Sequence, residues 1–109
     1  MTGCEKISNE TDPAKIIIGK WEIIEFGSGS NRDMVDSHGE YVEYCRDSIK
    51  IVYQPDTKKY FRYKYWIDSL LHEESDYFKY EFFDKNQKMR LDFASCIAEF
   101  PTSIWERIK

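Results

Sequence analysis

Apolar and aromatic side chains fall at every second position through most of this chain. Phe61, Tyr63, Tyr65 and Ile67 alternate with Arg62, Lys64, Trp66 and Asp68; Phe78, Tyr80 and Phe82 alternate with Lys79 and Glu81; Met89, Leu91 and Phe93 alternate with Lys88, Arg90 and Asp92. Successive side chains of an extended strand point to opposite faces, so this period sets one face of each segment against a core and the other in water. A composition with 17% aromatic residues, mostly Tyr and Phe, favours strands over helices as well. At 109 residues the chain has room for one core.

Eight strands are expected, over residues 20–26, 40–45, 48–53, 61–68, 69–74, 77–83, 88–93 and 103–108. The segment 69–74 is the weakest, because Ser69-Leu70-Leu71-His72 does not alternate. In the third strand Ile49, Ile51 and Tyr53 share one face, opposite Lys50 and Val52. Gln54-Pro55-Asp56-Thr57 and Asp84-Lys85-Asn86-Gln87 are turn sequences. Gly27-Ser28-Gly29-Ser30-Asn31 opens a stretch, 27–39, that is expected to be the longest loop and to hold neither strand nor helix. Asp12-Pro13 suits a helix start, with Asp as cap and Pro in the first turn, and Gly19 suits its end. Short alternating strands joined by tight turns imply an all-β, antiparallel up-and-down sheet, and closing it into an eight-stranded barrel removes two exposed edges.

Two places in the sequence resemble the lipocalin superfamily, in particular small lipocalin-like domains of bacterial secreted proteins and lipoproteins. Gly19-Lys20-Trp21 behind a short helix resembles the family's G-x-W signature on its first strand. Arg107 near the end of the last strand resembles the basic residue that packs over that tryptophan and closes the barrel base. The resemblance implies a cation–π contact between Trp21 and Arg107, worth about 0.5 to 2 kcal/mol. It also implies a binding protein that is not an enzyme and that carries a small hydrophobic or amphipathic ligand in the barrel mouth, near the 27–39 stretch. The short strands point to a small mouth.

Thr2-Gly3-Cys4 resembles the end of a bacterial lipoprotein signal, in which a small residue precedes the cysteine that is lipidated. On that reading Cys4 carries lipid and residues 1–11 form a solvated tether to a barrel domain over 12–109. The protein is then extracytoplasmic, in the periplasm or on the outer membrane, and meets the membrane only through this anchor. Cys45 and Cys96 remain as a disulfide pair in an oxidising compartment or as two buried thiols.

The net charge is −4, with 6 Lys/Arg against 10 Asp/Glu in residues 1–54 and 10 against 10 in residues 55–109. Neither half supplies a basic face, so nucleic acid is not an expected partner. The two histidines, His38 and His72, have no His or Cys at ligand spacing and read as solvated, so no metal or other cofactor is expected. The run His72-Glu73-Glu74 with Asp76 reads as a wet turn. No serine or cysteine has an evident base, and nearly all carboxylates fall on outward faces, which argues against catalysis. Glu25 is the exception: it shares the parity of Trp21 and Ile23, and inside the barrel it would need a partner such as Arg107 or a tyrosine hydroxyl.

The dry-face aromatics read either as core or as ligand lining. Tyr63, Tyr65 and Tyr80 are the first candidates for a pocket, because each buried hydroxyl must pair, hold water or meet the polar head of a ligand; Phe61 and Phe82 line the same face. Trp66 faces outward and with Tyr60 and Tyr77 would form an apolar patch for a protein partner. That is the alternative function: a filled barrel acting by its surface, as an envelope assembly factor or an inhibitor of another protein; on either reading a monomer is expected.

Overall fold

Alternation this regular closes on itself. The computed structural model describes residues 9–28, 31–74, 76–94 and 101–108. A single-turn helix α1 (Pro13–Ile16) leads into nine strands: β1 (Gly19–Ser28), β2 (Asn31–Met34), β3 (Tyr41–Tyr44), β4 (Ile49–Gln54), β5 (Lys59–Ile67), β6 (Leu71–Glu73), β7 (Asp76–Phe83), β8 (Lys88–Phe93) and β9 (Pro101–Arg107). Neighbouring strands pair antiparallel in the order β1-β3-β4-β5-β6-β7-β8-β9, and β9 returns to β1, which closes an eight-stranded barrel. The short strand β2 lies outside that ring as a hairpin partner of the second half of β1.

The eight ring strands match the eight expected ones to within a few residues. The ninth corrects the expectation that the segment opening at Gly27 holds no strand. Gly27 and Ser28 finish β1, and Asn31 begins β2. The hairpin depends on Gly27: a Cβ there would lie 2.2 Å from the Asn31 carbonyl oxygen and 2.7 Å from the Arg32 Cα. The non-alternating segment 69–74 shrinks to the three residues of β6, which still bury Leu71 completely.

Helix α1 follows its sequence signals. The Asp12 carboxylate accepts from the Ala14 backbone N–H at 3.0 Å, Pro13 occupies the first turn, and the chain then buries Ile16 and Ile17 at one end of the barrel. The interior is a single cluster of Ile17, Trp21, Val42, Tyr44, Tyr65, Leu71, Met89 and Leu91, with Val52, Ile67, Phe78, Tyr80, Phe82 and Trp105 packed against it. Part of the expected tether docks on this end, where the Glu10 carbonyl accepts from the Asn86 side-chain amide at 2.9 Å.

Register fixes which faces point inward, and two assignments change. In β4, Lys50 pairs with buried Tyr44 on one side and Tyr63 on the other, and Val52 pairs with Val42. The inner face of β4 is therefore the Lys50–Val52 face, while Ile49, Ile51 and Tyr53 line the outer wall. In β1 the register with β9 shifts between Ile23 and Glu25. This bulge inserts one residue, so Glu25 pairs with Ile104 on the outer face and leaves the interior that simple parity assigns to it. There Glu25 accepts from Arg32 Nε at 3.3 Å.

Candidate functional site

The helix end of the barrel is sealed by Trp21 and Arg107. Trp21 is fully buried and donates its indole N–H to the Ile17 carbonyl at 2.9 Å. The Arg107 guanidinium carbon lies 4.3 Å from the centre of the Trp21 ring. The same guanidinium donates to the carbonyls of Ile18 at 2.8 Å, Ile16 at 2.5 Å and Asn86 at 3.2 Å, so it gathers the helix, the link from the helix to β1 and the β7–β8 turn. Gly19 makes room for it. Its φ is +130°, and a Cβ would stand 2.8 Å from Arg107 Nη1. A half-open cleft of about 410 Å³ beside this seal is lined by Glu22, Asp84, Gln87, Glu106, Arg107 and Ile108. Among the described residues no group of His, Cys, Asp and Glu is arranged to hold a metal ion.

The five aromatic ligand candidates divide between the core and the surface. Tyr65 is buried and donates its hydroxyl to the Cys45 carbonyl at 2.7 Å; burial above all, then the Cys45 and Asp47 charges, push its phenol up to about 12. Tyr80 donates to the Asp68 carbonyl at 2.5 Å, and burial followed by the Asp68 charge raises its pKa. Phe82 packs beside Trp21 with ring centroids 6.2 Å apart. These three belong to the core, and the hydroxyls of Tyr65 and Tyr80 are satisfied by backbone. Phe61 and Tyr63 share the inward parity of Tyr65 on β5, yet they are 38% and 40% exposed and stand outside the core cluster.

Beside Tyr63 and Tyr65 lies a polar arrangement that strand parity did not disclose. The Lys50 ammonium donates to Glu73 Oε1 at 2.6 Å, and the side chains are only 14% and 13% exposed. The Tyr44 hydroxyl donates to Glu73 Oε2 at 2.6 Å, Lys50 Nζ lies 5.6 Å from the centre of the Tyr44 ring, and Tyr44 meets Tyr65 edge-on at 4.9 Å. Lys50 is the cross-strand neighbour of Tyr63, and Glu73 that of Tyr65. The ion pair therefore bridges the barrel wall where exposed Tyr63 gives way to buried Tyr65. Burial, then the charge of Glu73, hold the Tyr44 phenol well above its ordinary value, so it remains a donor. Glu73, which the run 72–76 disguises as a turn residue, is a partly buried inward carboxylate, whereas Glu25 is not inward. A buried ion pair is weak evidence for stability, because apolar residues of similar volume often serve the fold as well.

The outer wall carries two aromatic rows in place of one patch. Trp66, 51% exposed, stacks on His72 at 4.4 Å with an interplanar angle of 5°, and Tyr77 lies next in the row. His72 is thus partly covered, with Nε2 3.1 Å from Asp68 Oδ1, while His38 stays exposed in the loop beside Asp36. Tyr60 belongs to a separate row with Tyr53 and Tyr41, topped by the Lys20 ammonium 4.9 Å above the Tyr41 ring. Six residues of strand separate Tyr60 from Trp66, about 20 Å. On the wall near β2, Asp92 accepts from Thr102 and from Arg90 Nε at 3.0 Å; burial pushes its carboxyl up, but these bonds and the charge of Arg90 outweigh it and hold the pKa low.

Cys45 is a free, partly buried thiol whose pKa is raised, first by burial and then by the charges of Glu43 and Asp47. Cys96, its candidate disulfide partner, and Cys4 lie outside the described residues. Within those residues no helix is long and apolar enough to cross a membrane.

No protein-family model matches the chain, and no curated protein matches it. The class rests on architecture, a closed eight-stranded antiparallel β-barrel with, among the described residues, one short helix at its base.

Proposed function

We propose that this chain is a lipocalin-like binding protein without catalytic activity, which holds a small amphipathic molecule at the open end of its barrel. One observation carries the reading: Phe61 and Tyr63 have inward parity but are 38% and 40% exposed, next to the partly buried ion pair of Lys50 and Glu73. The seal formed at the other end by Gly19, Trp21 and Arg107 supports the lipocalin-like reading. Cys4 as a lipid anchor and an extracytoplasmic location extend the same reading. Detergent-phase partition of the protein recovered from its own cells, with the mass of its N-terminal peptide, tests both.

The binding reading is tested by titrating 1-octanol into isotope-labelled protein and following amide and methyl chemical shifts. Shifts concentrated at Val52, Phe61 and Tyr63 are expected. A second reading, a filled barrel acting through its wall, is favoured by the dense core and by the exposed Trp66–His72 stack; shifts confined to that stack, or none at all, would favour it over the first.

A further inference from the structure

We infer that the outer wall of β3, β4 and β5 is the face on which two copies of this chain pair, in place of the monomer expected from the sequence. The wall centres on the strip Ile49, Ile51 and Tyr53, which faces away from the core and is only partly buried. Register places opposite charges on either side of it: Glu43 on β3 and Arg62 on β5 are both direct cross-strand neighbours of Ile51. Directly opposed side chains share a face. Glu43 and Arg62 therefore flank Ile51 at one strand spacing each, about 5 Å, and among the described residues neither side chain makes an ion pair. Tyr41 and Tyr60 flank Tyr53 in the same way, with ring centroids 5.1 and 4.9 Å from it, and Tyr60 is 58% exposed. An apolar strip with one acidic and one basic margin is its own complement.

The charges also choose the symmetry. A closed pair of identical chains has a twofold axis, and two walls packed face to face place it in the plane between them, either along β4 or across it. With the axis along β4, Ile51 meets Ile51, Tyr53 meets Tyr53, Tyr41 meets Tyr60, and each Glu43 meets the Arg62 of the second copy. With the axis across the strands through Ile51, Glu43 would meet Glu43 and Arg62 would meet Arg62, which is repulsive at both margins. The first arrangement runs the two β4 strands parallel, so the helix ends of both barrels lie on the same side of the pair. The patch spans two strand spacings from β3 to β5, about 10 Å, and four residues of strand, about 13 Å. Walls of this size and convexity form a weak interface, with an expected dissociation constant of about 10 to 100 µM.

Sedimentation equilibrium of the full chain under reducing conditions, from low micromolar to several hundred micromolar protein, tests this. The mean mass is expected to rise from the 13.1 kDa of one chain toward twice that value. Glu43→Arg and Arg62→Glu each turn both symmetry-related contacts repulsive, so either one should weaken the dimer about tenfold or more. The double variant Glu43→Arg, Arg62→Glu exchanges the margins at unchanged net charge and should restore the parent affinity, which a general effect of charge on association would not do. An equimolar mixture of the two single variants should pair more tightly than either alone. Ile51→Lys, on the axis, should leave a monomer; if that variant unfolds, the charge exchange alone makes the test. A mass of one chain at every concentration overturns the dimer. A dimer that neither single reversal weakens, or that the double exchange fails to restore, overturns its assignment to this wall.

Discussion

Replacing Gly19 by Ala strikes the seal at two points. The backbone at Gly19 has φ +130°, a conformation L side chains rarely adopt, which costs about 1 to 2 kcal/mol. The new Cβ would also lie 2.8 Å from Arg107 Nη1. A flexible side-chain end would normally move aside cheaply. This one is held by the carbonyls of Ile16, Ile18 and Asn86 and by the Trp21 ring, so moving it forfeits at least one hydrogen bond from a charged donor, about 2 kcal/mol. The expected loss is about 3 to 4 kcal/mol, a large part of the stability of a domain this size. Urea denaturation reads it as a midpoint lowered by about 2 M. The interaction is isolated by repeating Gly19→Ala in an Arg107→Met background, where only the backbone cost of about 1 to 2 kcal/mol should remain. Equal losses in the two backgrounds would refute the claim that Gly19 is there to admit Arg107.

Tyr65→Phe strands the Cys45 carbonyl and should cost about 1 to 2 kcal/mol in urea denaturation without changing octanol affinity, whereas Tyr80→Phe, whose bond to the Asp68 carbonyl is exposed, and Tyr63→Phe should leave stability within about 0.5 kcal/mol of the parent. Because the Tyr65 phenol is pushed up to about 12, its stabilising effect is complete below about pH 10 and is lost as pH rises from about 10 to 12; the urea midpoint should fall more steeply over that interval in the parent than in Tyr65→Phe. Asp92 behaves in the opposite sense. Its lowered pKa gives stability present above its unfolded value near 3.9 and lost as pH falls through the folded one, so Asp92→Asn should cost most at neutral pH and least near pH 2. Gly27→Ala should weaken the β1–β2 hairpin and speed amide hydrogen exchange in residues 31–34 while leaving Trp21 buried.

Most strands of the ring were legible because they carry their own alternation, β6 being the exception, and α1 because Asp12 and Pro13 announce it locally. What escaped was non-local. Asn31-Arg32-Asp33-Met34 has no dry face and becomes a strand only because Gly27 lets it fold back on β1. Nothing in Trp-Glu-Ile-Ile-Glu-Phe marks the inserted residue, yet the bulge sends Glu25 to the outer wall. In β4 the isoleucines suggest a dry face opposite Lys50, but every residue of that strand is partly buried on both sides. Lys50 is tolerated inside because Glu73, on a strand two places away in the sheet, meets its charge, and Tyr44 completes the group from a third strand. Of the aromatic candidates, alternation selected the correct face and could not select depth. Depth follows from strand stagger, which leaves Phe61 and Tyr63 at the rim while Tyr65, Tyr80 and Phe82 enter the core.

Native mass spectrometry of the protein gently purified from its own cells, set against its denatured mass, tests the binding reading most directly. A discrete extra mass that is lost on denaturation, and that is also lost from the Phe61→Ser, Tyr63→Ser double variant while the fold survives, is the expected result. A native mass equal to the denatured one, for protein that also fails to bind octanol, would contradict it and turn attention to the Trp66 wall.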